Sequence, residues 1–235
     1  KPAHAIQIRL GGLGDVYKRQ RLLWVTRVSL VVGFVATLAA ALVGSLIGLV
    51  SGYFQGWIDS GLMRGVDTLM AFPYMLLALA IVAAFGPGLL NALFAIAIVN
   101  VPFFARTVRG ATISLVKREF ILAARLGGAS HFDVLSRELL PNILPVIVVT
   151  ISTTAGWMIL ETAGFSFLGL GSQPPTADLG SMLGEGRKLL FTAPHVSTLP
   201  GLVILILVIS FNMLGDGVRD ALDPRLRRGC LLYTS

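Results

Sequence analysis

The chain has 235 residues, of which 55% are hydrophobic and only 13% charged, with a mean hydropathy of +0.81. A water-soluble globule of that composition lacks the polar surface to cover itself, so an integral membrane protein is expected; several apolar runs reach the roughly 18 residues a helix needs to cross hydrocarbon, with none of the short alternating segments of a barrel. The formal charge of +7 lies between and beyond those runs rather than on a face interleaved with aromatics, which argues against nucleic-acid binding and for topology signals.

Two end segments stand apart. Residues 15–20 (DVYKRQ) and 230–235 (CLLYTS) can be encoded by DNA stretches that are almost reverse complements, and the pair resembles a transposon end used in preparing sequencing libraries. Residues 1–20 and 230–235, the latter with the lone Cys230, are therefore read as non-native, leaving 21–229 as one transmembrane domain. A first helix is expected to precede residue 21 in the uninterrupted protein.

The first predicted span, 28–53, is uncharged and carries Gly33, Gly44, Gly48 and Gly52, small residues that suit close helix packing in lipid. The second opens with a polar turn and runs apolar over 69–85, with a kink expected at Pro73 and an end at Gly86–Pro87–Gly88. Asp59, Arg64 and Asp67 lie near its start, either as local ion pairs at a solvated helix end or, for Asp67, facing a pathway inside the bundle. The third span, 89–108, contains Asn100, a further candidate pathway residue, and Pro102. The fourth, 142–160, ends at Glu161, which suits either a gate or a cap at the interface. The last is 199–214.

Lys and Arg near the span ends set orientation. Arg106, Arg109, Lys117, Arg118, Arg125 and Arg137 cluster over 106–137, and Arg219, Arg225, Arg227 and Arg228 follow the last span, whereas 163–198 holds only Arg187 and Lys188. Five spans with a cytoplasmic C-terminus fit this bias, with Arg21 and Arg27 set against it. The outer segment 163–198, rich in glycine and containing Pro174 and Pro175, is expected to be irregular backbone.

Between the third and fourth spans, 119–126 favours helix and Gly127–Gly128 interrupts it. Ser130 suits the cap of a second short helix, with Asp133 placed to assist, and Pro141 is expected to end that helix. Ala123 and Ala124 would offer a flat face for close docking by another protein.

"AARLGGASHFDVLSRELLP" resembles the cytoplasmic loop of binding-protein-dependent ABC importer permeases, whose EAA pattern is Glu-Ala-Ala, three residues, Gly, nine residues, Ile, one residue, Leu-Pro. Ala123, Ala124, Gly128, Leu140 and Pro141 match it, while Leu122 and Glu138 stand where the pattern has Glu and Ile. "SGYFQGWIDSGLMRGVDTLMAFPYMLLALAIVAAFGPG", "SFLGLGSQPPTADLGSMLGEGR" and "FNMLGDGVRDALDPRLR" also look like the C-type permease subunit of dipeptide, oligopeptide and nickel importers, so the likeness covers nearly all of 21–228.

The resemblance implies an all-α, polytopic bundle of the type I importer fold, in a bacterial or archaeal plasma (inner) membrane. It implies a coupling loop over 117–141, in which Arg125 and Asp133 face an ATPase surface. It also implies a sister permease, two ATPase subunits carrying ATP and Mg, and an extracytoplasmic binding protein. The residues themselves agree on one point: no G-x-x-x-x-G-K-[ST] loop is present, so ATP hydrolysis is not expected here. Neither G-x-S-x-G nor H-E-x-x-H occurs, and His4, His131 and His195 lack metal-ligand spacing. The alternative is a secondary transporter or channel working without an ATPase. Against it stand the absence of an internal repeat and the position of Asp59, Asp67 and Glu161 near span ends.

Overall fold

The computed structural model describes residues 2–173, 176–187 and 189–222, with 2–20 described as backbone only. Pro174, Pro175, Lys188, Arg225, Arg227, Arg228 and the 230–235 segment lie outside the described residues. Those described form nine α-helices: α1 (Pro2–Phe54), α2 (Gly56–Met70), α3 (Tyr74–Phe85), α4 (Leu89–Val116), α5 (Glu119–Leu126), α6 (His131–Asp133), α7 (Leu140–Phe167), α8 (Leu179–Arg187) and α9 (His195–Leu222). A π-helical turn, Val134–Leu139, joins α6 to α7.

Among the described residues, four helical stretches are long and apolar enough to cross a membrane: Arg21–Phe54, Leu89–Val116, His131–Phe167 and His195–Leu222. The fifth expected span is a pair, α2 and α3, bent by 86°. The expected kink at Pro73 is thus a full break. The proline ring opposes the carbonyl four residues back and pushes Phe72 out of helical geometry, so α2 stops and Pro73 caps α3 at φ −55°, ψ 121°. Alone, the 12 residues of α3 reach only about 18 Å, short of a bilayer core.

Three more boundaries differ from expectation. α4 continues to Val116, which places Arg106 and Arg109 on the helix rather than in a loop. Pro141 ends nothing. It sits directly after the π-helical turn, where the Leu140 N–H has already shifted to the Leu135 carbonyl, and the neighbouring Asn142 side chain donates 2.6 Å to the Glu138 carbonyl. α7 also runs past Glu161 to Phe167, so Glu161 does not stand at a span end. In the outer segment an ordered helix, α8, replaces much of the expected irregular backbone.

Packing follows the small residues. A Cβ on Gly44 would meet the Val101 carbonyl at 2.6 Å, and one on Gly52 would meet Thr112 Cβ at 2.7 Å, so α1 lies with its backbone directly on α4; Gly33 stands likewise on Ile159 of α7. The expected close-packing face of the first span is therefore real. At one end of the bundle, Asp178 (1% exposed) caps α8, accepting from the Ser181 N–H at 2.8 Å and from the Ser166 hydroxyl, while the Leu179 N–H donates to Ser29 Oγ of α1 at 3.0 Å. The Gly88 N–H donates to the Leu170 carbonyl at the same end, so the α3–α4 turn and the segment after α7 share a side, as the charge bias requires. Arg21 pairs there with Glu185 of α8 at 3.5 Å, which gives this misplaced cation a local partner.

Replacement of Gly44 by Val should cost about 1–3 kcal/mol of stability, because the backbones must part. Gly61→Val on α2, where an added Cβ meets nothing within 4 Å, should change it by less than about 0.5 kcal/mol. Unfolding of both variants by SDS titration in mixed micelles checks the contrast.

Candidate functional site

Two regions gather the residues singled out by sequence. The first is the end of the bundle opposite α8. There α5 closes with a Schellman turn: the Gly128 N–H donates to the Arg125 carbonyl and the Ala129 N–H to the Ala124 carbonyl, both at 3.1 Å, with Gly128 at φ +83°. That left-handed backbone is what glycine supplies at little cost. Ser130 then caps α6, its Oγ accepting from the Asp133 N–H at 3.1 Å and donating to the Asp133 carboxylate at 2.5 Å.

The expected helix, tight turn and capped second helix are all present, but the second helix runs through the π-helical turn directly into α7. Ala123 is exposed and Ala124 half-buried, and around them Phe120, Leu122, Leu126 and Phe132 are 40%, 49%, 89% and 76% exposed. Arg125 lies 4.7 Å over the Tyr53 ring, and the Tyr53 hydroxyl is 2.8 Å from His131 Nδ1, so α1 steadies the element from behind. Asp133 also pairs with Arg137 at 3.5 Å. Leu140 (37% exposed) and Pro141 belong to the first turn of α7.

Beside this end, a clamp holds α1, α2 and α4 together. Arg109 donates through Nε and Nη2 to the two Asp59 oxygens at 2.6 Å each, and the Ser51 hydroxyl donates to the same carboxylate. Their side chains are 34% and 15% exposed, so this bidentate pair is partly shielded. Beneath it, Gln55 turns the chain at φ 51°, ψ −161°, a conformation nearly restricted to glycine, which only a firm surrounding holds in place. Asp67 makes a single contact with Arg106 at 2.5 Å, with both side chains more than half exposed: the local ion pair expected of a solvated helix end.

The second region lies at the Pro73 break. Glu161 is only 5% exposed; its Oε2 accepts from Asn100 Nδ2 at 3.0 Å, and its Oε1 has no hydrogen-bond partner. Both residues line a cleft of about 430 Å³, walled by Phe72, Pro73, Tyr74, Phe103 and Trp157 and opened by the bend between α2 and α3. A second hollow, lined by Thr153 and Thr154, adjoins it through Asn100, Phe103 and Trp157. Asn100 and Glu161, expected separately as pathway residues, thus meet, whereas Asp67 does not join them. The aromatic wall escaped sequence reading, although Phe72, Pro73 and Tyr74 are consecutive and a proline between two aromatics is a visible sign of a lined bend.

Residues 44–228 match the family described as the binding-protein-dependent transport system inner membrane component. The chain belongs to this family. It is 44% identical over 227 residues to the glutathione transport system permease protein GsiD of Pectobacterium atrosepticum, covering 96% of this chain and 75% of that protein. It is 46% identical over 207 residues to the dipeptide transport system permease protein DppC of Alkalihalophilus pseudofirmus, covering 88% and 68%. Among solved structures, the MetNI methionine ABC transporter in an inward-facing conformation superposes with a TM-score of 0.69 at 20% identity, covering 87% of this chain and 97% of that one. An amino acid ABC transporter gives 0.68 at 18%, covering 89% and 98%. At such identities these two share the fold. The protein is a multi-pass inner-membrane permease subunit of an ABC importer, a transport component and not a secondary transporter or channel acting alone.

A double-mutant cycle on Asp59→Ala and Arg109→Ala should show a coupling of about 1–2 kcal/mol, with each single change costing about 2 kcal/mol. The same cycle on Asp67 and Arg106 should give at most about 1 kcal/mol, since that pair is exposed and singly bonded. SDS unfolding of the purified variants measures both.

Proposed function

We propose that this subunit forms, with a sister permease, the pathway for peptides or a related small solute, and that two separate ATPase subunits drive it through the element at 117–141. The solute class follows the names of GsiD and DppC. ATP and Mg belong on the ATPases in this reading, an extracytoplasmic binding protein delivers the solute, and the C-terminus lies in the cytoplasm with α5 and α6.

The observation that carries the reading is the form of that element. A two-turn helix, stopped by a glycine turn and steadied from behind by Tyr53, leaves Phe120, Leu122, Leu126 and Phe132 uncovered at one end of the bundle. Apolar side chains grouped there suit a protein groove better than water. Ala123 and Ala124 permit close approach, Arg125 and Asp133 edge the face, and Leu140 and Pro141 begin the helix that continues to the Glu161 cleft.

Gly128 provides the test. An added Cβ there meets nothing within 4 Å, but the left-handed backbone strains most side chains, so Gly128→Leu is read against Gly128→Asn. Gly128→Leu should abolish ATP-driven uptake in proteoliposomes and reduce ATPase recovery in a pull-down, with membrane insertion retained. Gly128→Asn, which tolerates the left-handed backbone, should keep a substantial part of both. Unchanged uptake in the leucine variant would remove the coupling role, and uptake in vesicles without ATP or an ATPase would remove the importer reading.

A further inference from the structure

The Glu161 cleft has features that a structural role leaves unexplained. A carboxylate inside the membrane region is costly to keep, and it is retained where something compensates it. Within the subunit the compensation comes from neutral groups alone: Asn100 donates to Oε2, the polar groups of Tyr74 and Trp157 lie toward the carboxylate, and Oε1, on a residue only 5% exposed, completes no well-formed hydrogen bond. No Lys or Arg is among the described residues that line the cleft. The rest of the cleft wall is largely aromatic, with Phe72 56%, Tyr74 38%, Phe103 50% and Trp157 51% exposed.

A buried carboxylate in a cleft lined by aromatic side chains is an environment that attracts an organic cation. The ammonium gives hydrogen bonds and charge to the acid, and the ring faces give a second attraction that water does not match well. The bend at Pro73 sets this lining at the open side of the cleft, where Phe72 and Tyr74 flank the break. A volume of about 430 Å³ admits a small peptide end and little more.

We propose that Glu161 anchors a subsite for a protonated primary amine, the α-ammonium end of a short peptide or peptide-like solute, with Asn100 positioning the carboxylate and Trp157 contributing a ring face. This rests on the reading that the chain lines an importer pathway for such solutes. The subsite would add a check at the permease itself, separate from any choice made by the binding protein: solutes with a free amine are held at the break, and those with the amine blocked are not.

The test uses the assembled permease–ATPase complex in nanodiscs, without binding protein, and radiolabelled L-alanyl-L-alanine as the probe. Saturable binding by the wild type is expected, weakened about tenfold or more by Glu161→Gln and about threefold by Trp157→Leu. N-acetyl-L-alanyl-L-alanine should bind the wild type no better than the free dipeptide binds Glu161→Gln. Equal affinity in Glu161→Gln, equal binding of the blocked peptide, or no saturable binding at all overturns the proposal; the last is what a cleft filled by a partner subunit's basic side chain would give. Should Glu161→Gln fail to assemble, Trp157→Leu decides, since that side chain is half exposed, and unchanged affinity there is equally fatal. ATP-driven uptake by the wild type with its binding protein separates the two readings. Its failure sinks the importer reading, whereas normal uptake with binding indifferent to Glu161→Gln sinks the subsite alone.

Discussion

Lipid gives helices no apolar reason to associate, because hydrocarbon chains outside the bundle are as apolar as the side chains within it. What remains is contact, and the bare stripe of Gly44, Gly48 and Gly52 lets α1 lie on α4 with backbone against backbone. That approach brings Ser51 and Asp59 within reach of Arg109, and it holds α4 as the fixed wall against which α7 sets Glu161 beside Asn100. Side chains of ordinary size along the stripe would push α4 outward and separate each of these pairs by more than a hydrogen bond spans.

Against that fixed wall, Pro73 introduces the one large irregularity in the spanning region. A helix broken at membrane depth leaves backbone groups without partners, and this is tolerated where the break faces protein or a cavity. Here it does both. Leu77 resumes hydrogen bonding to the Pro73 carbonyl at 3.0 Å, and the gap between α2 and α3 becomes the mouth of the cleft. The cost of the break and the cost of the buried acid thus fall in one place, which is the arrangement expected of a site and not of a scaffold.

How far the sequence foretells this depends on how local each cause is. The glycine stripe, the Schellman turn at Gly128 and the Ser130 cap rest on a few neighbouring residues, and each was legible, as was the all-helical class. The severity of the Pro73 bend, the continuity of α7 through Pro141 and the depth of Glu161 were not. Such features depend on partners far away in the chain: Glu161 meets a residue 61 positions earlier, and the Leu179 N–H beside the Asp178 cap meets Ser29 across 150 positions. Hydropathy also ended the third and fourth spans too early, because Arg109 and Glu161 look like boundaries until their partners Asp59 and Asn100 are in place.

The continuity of the helix through Pro141 has a mechanical consequence. From the Ser130 cap through the π-helical turn to Phe167 there is no break, so Phe132, at the edge of the exposed apolar face, and Glu161 lie on one continuous helical stretch. Had Pro141 ended a helix, as its position suggests, a displacement at α5 would dissipate in a loop. Instead the helical bonding only shifts register there, at the π-helical turn Val134–Leu139. Val134 and Leu139 are themselves fully buried in one core cluster with Ile121 of α5 and Ile143 of α7, so this turn is gripped by the core beneath α5. In the proposed coupling, a push on α5 would reach α7 through packed side chains at that turn, and the length of helix beyond it would carry the movement toward the cleft.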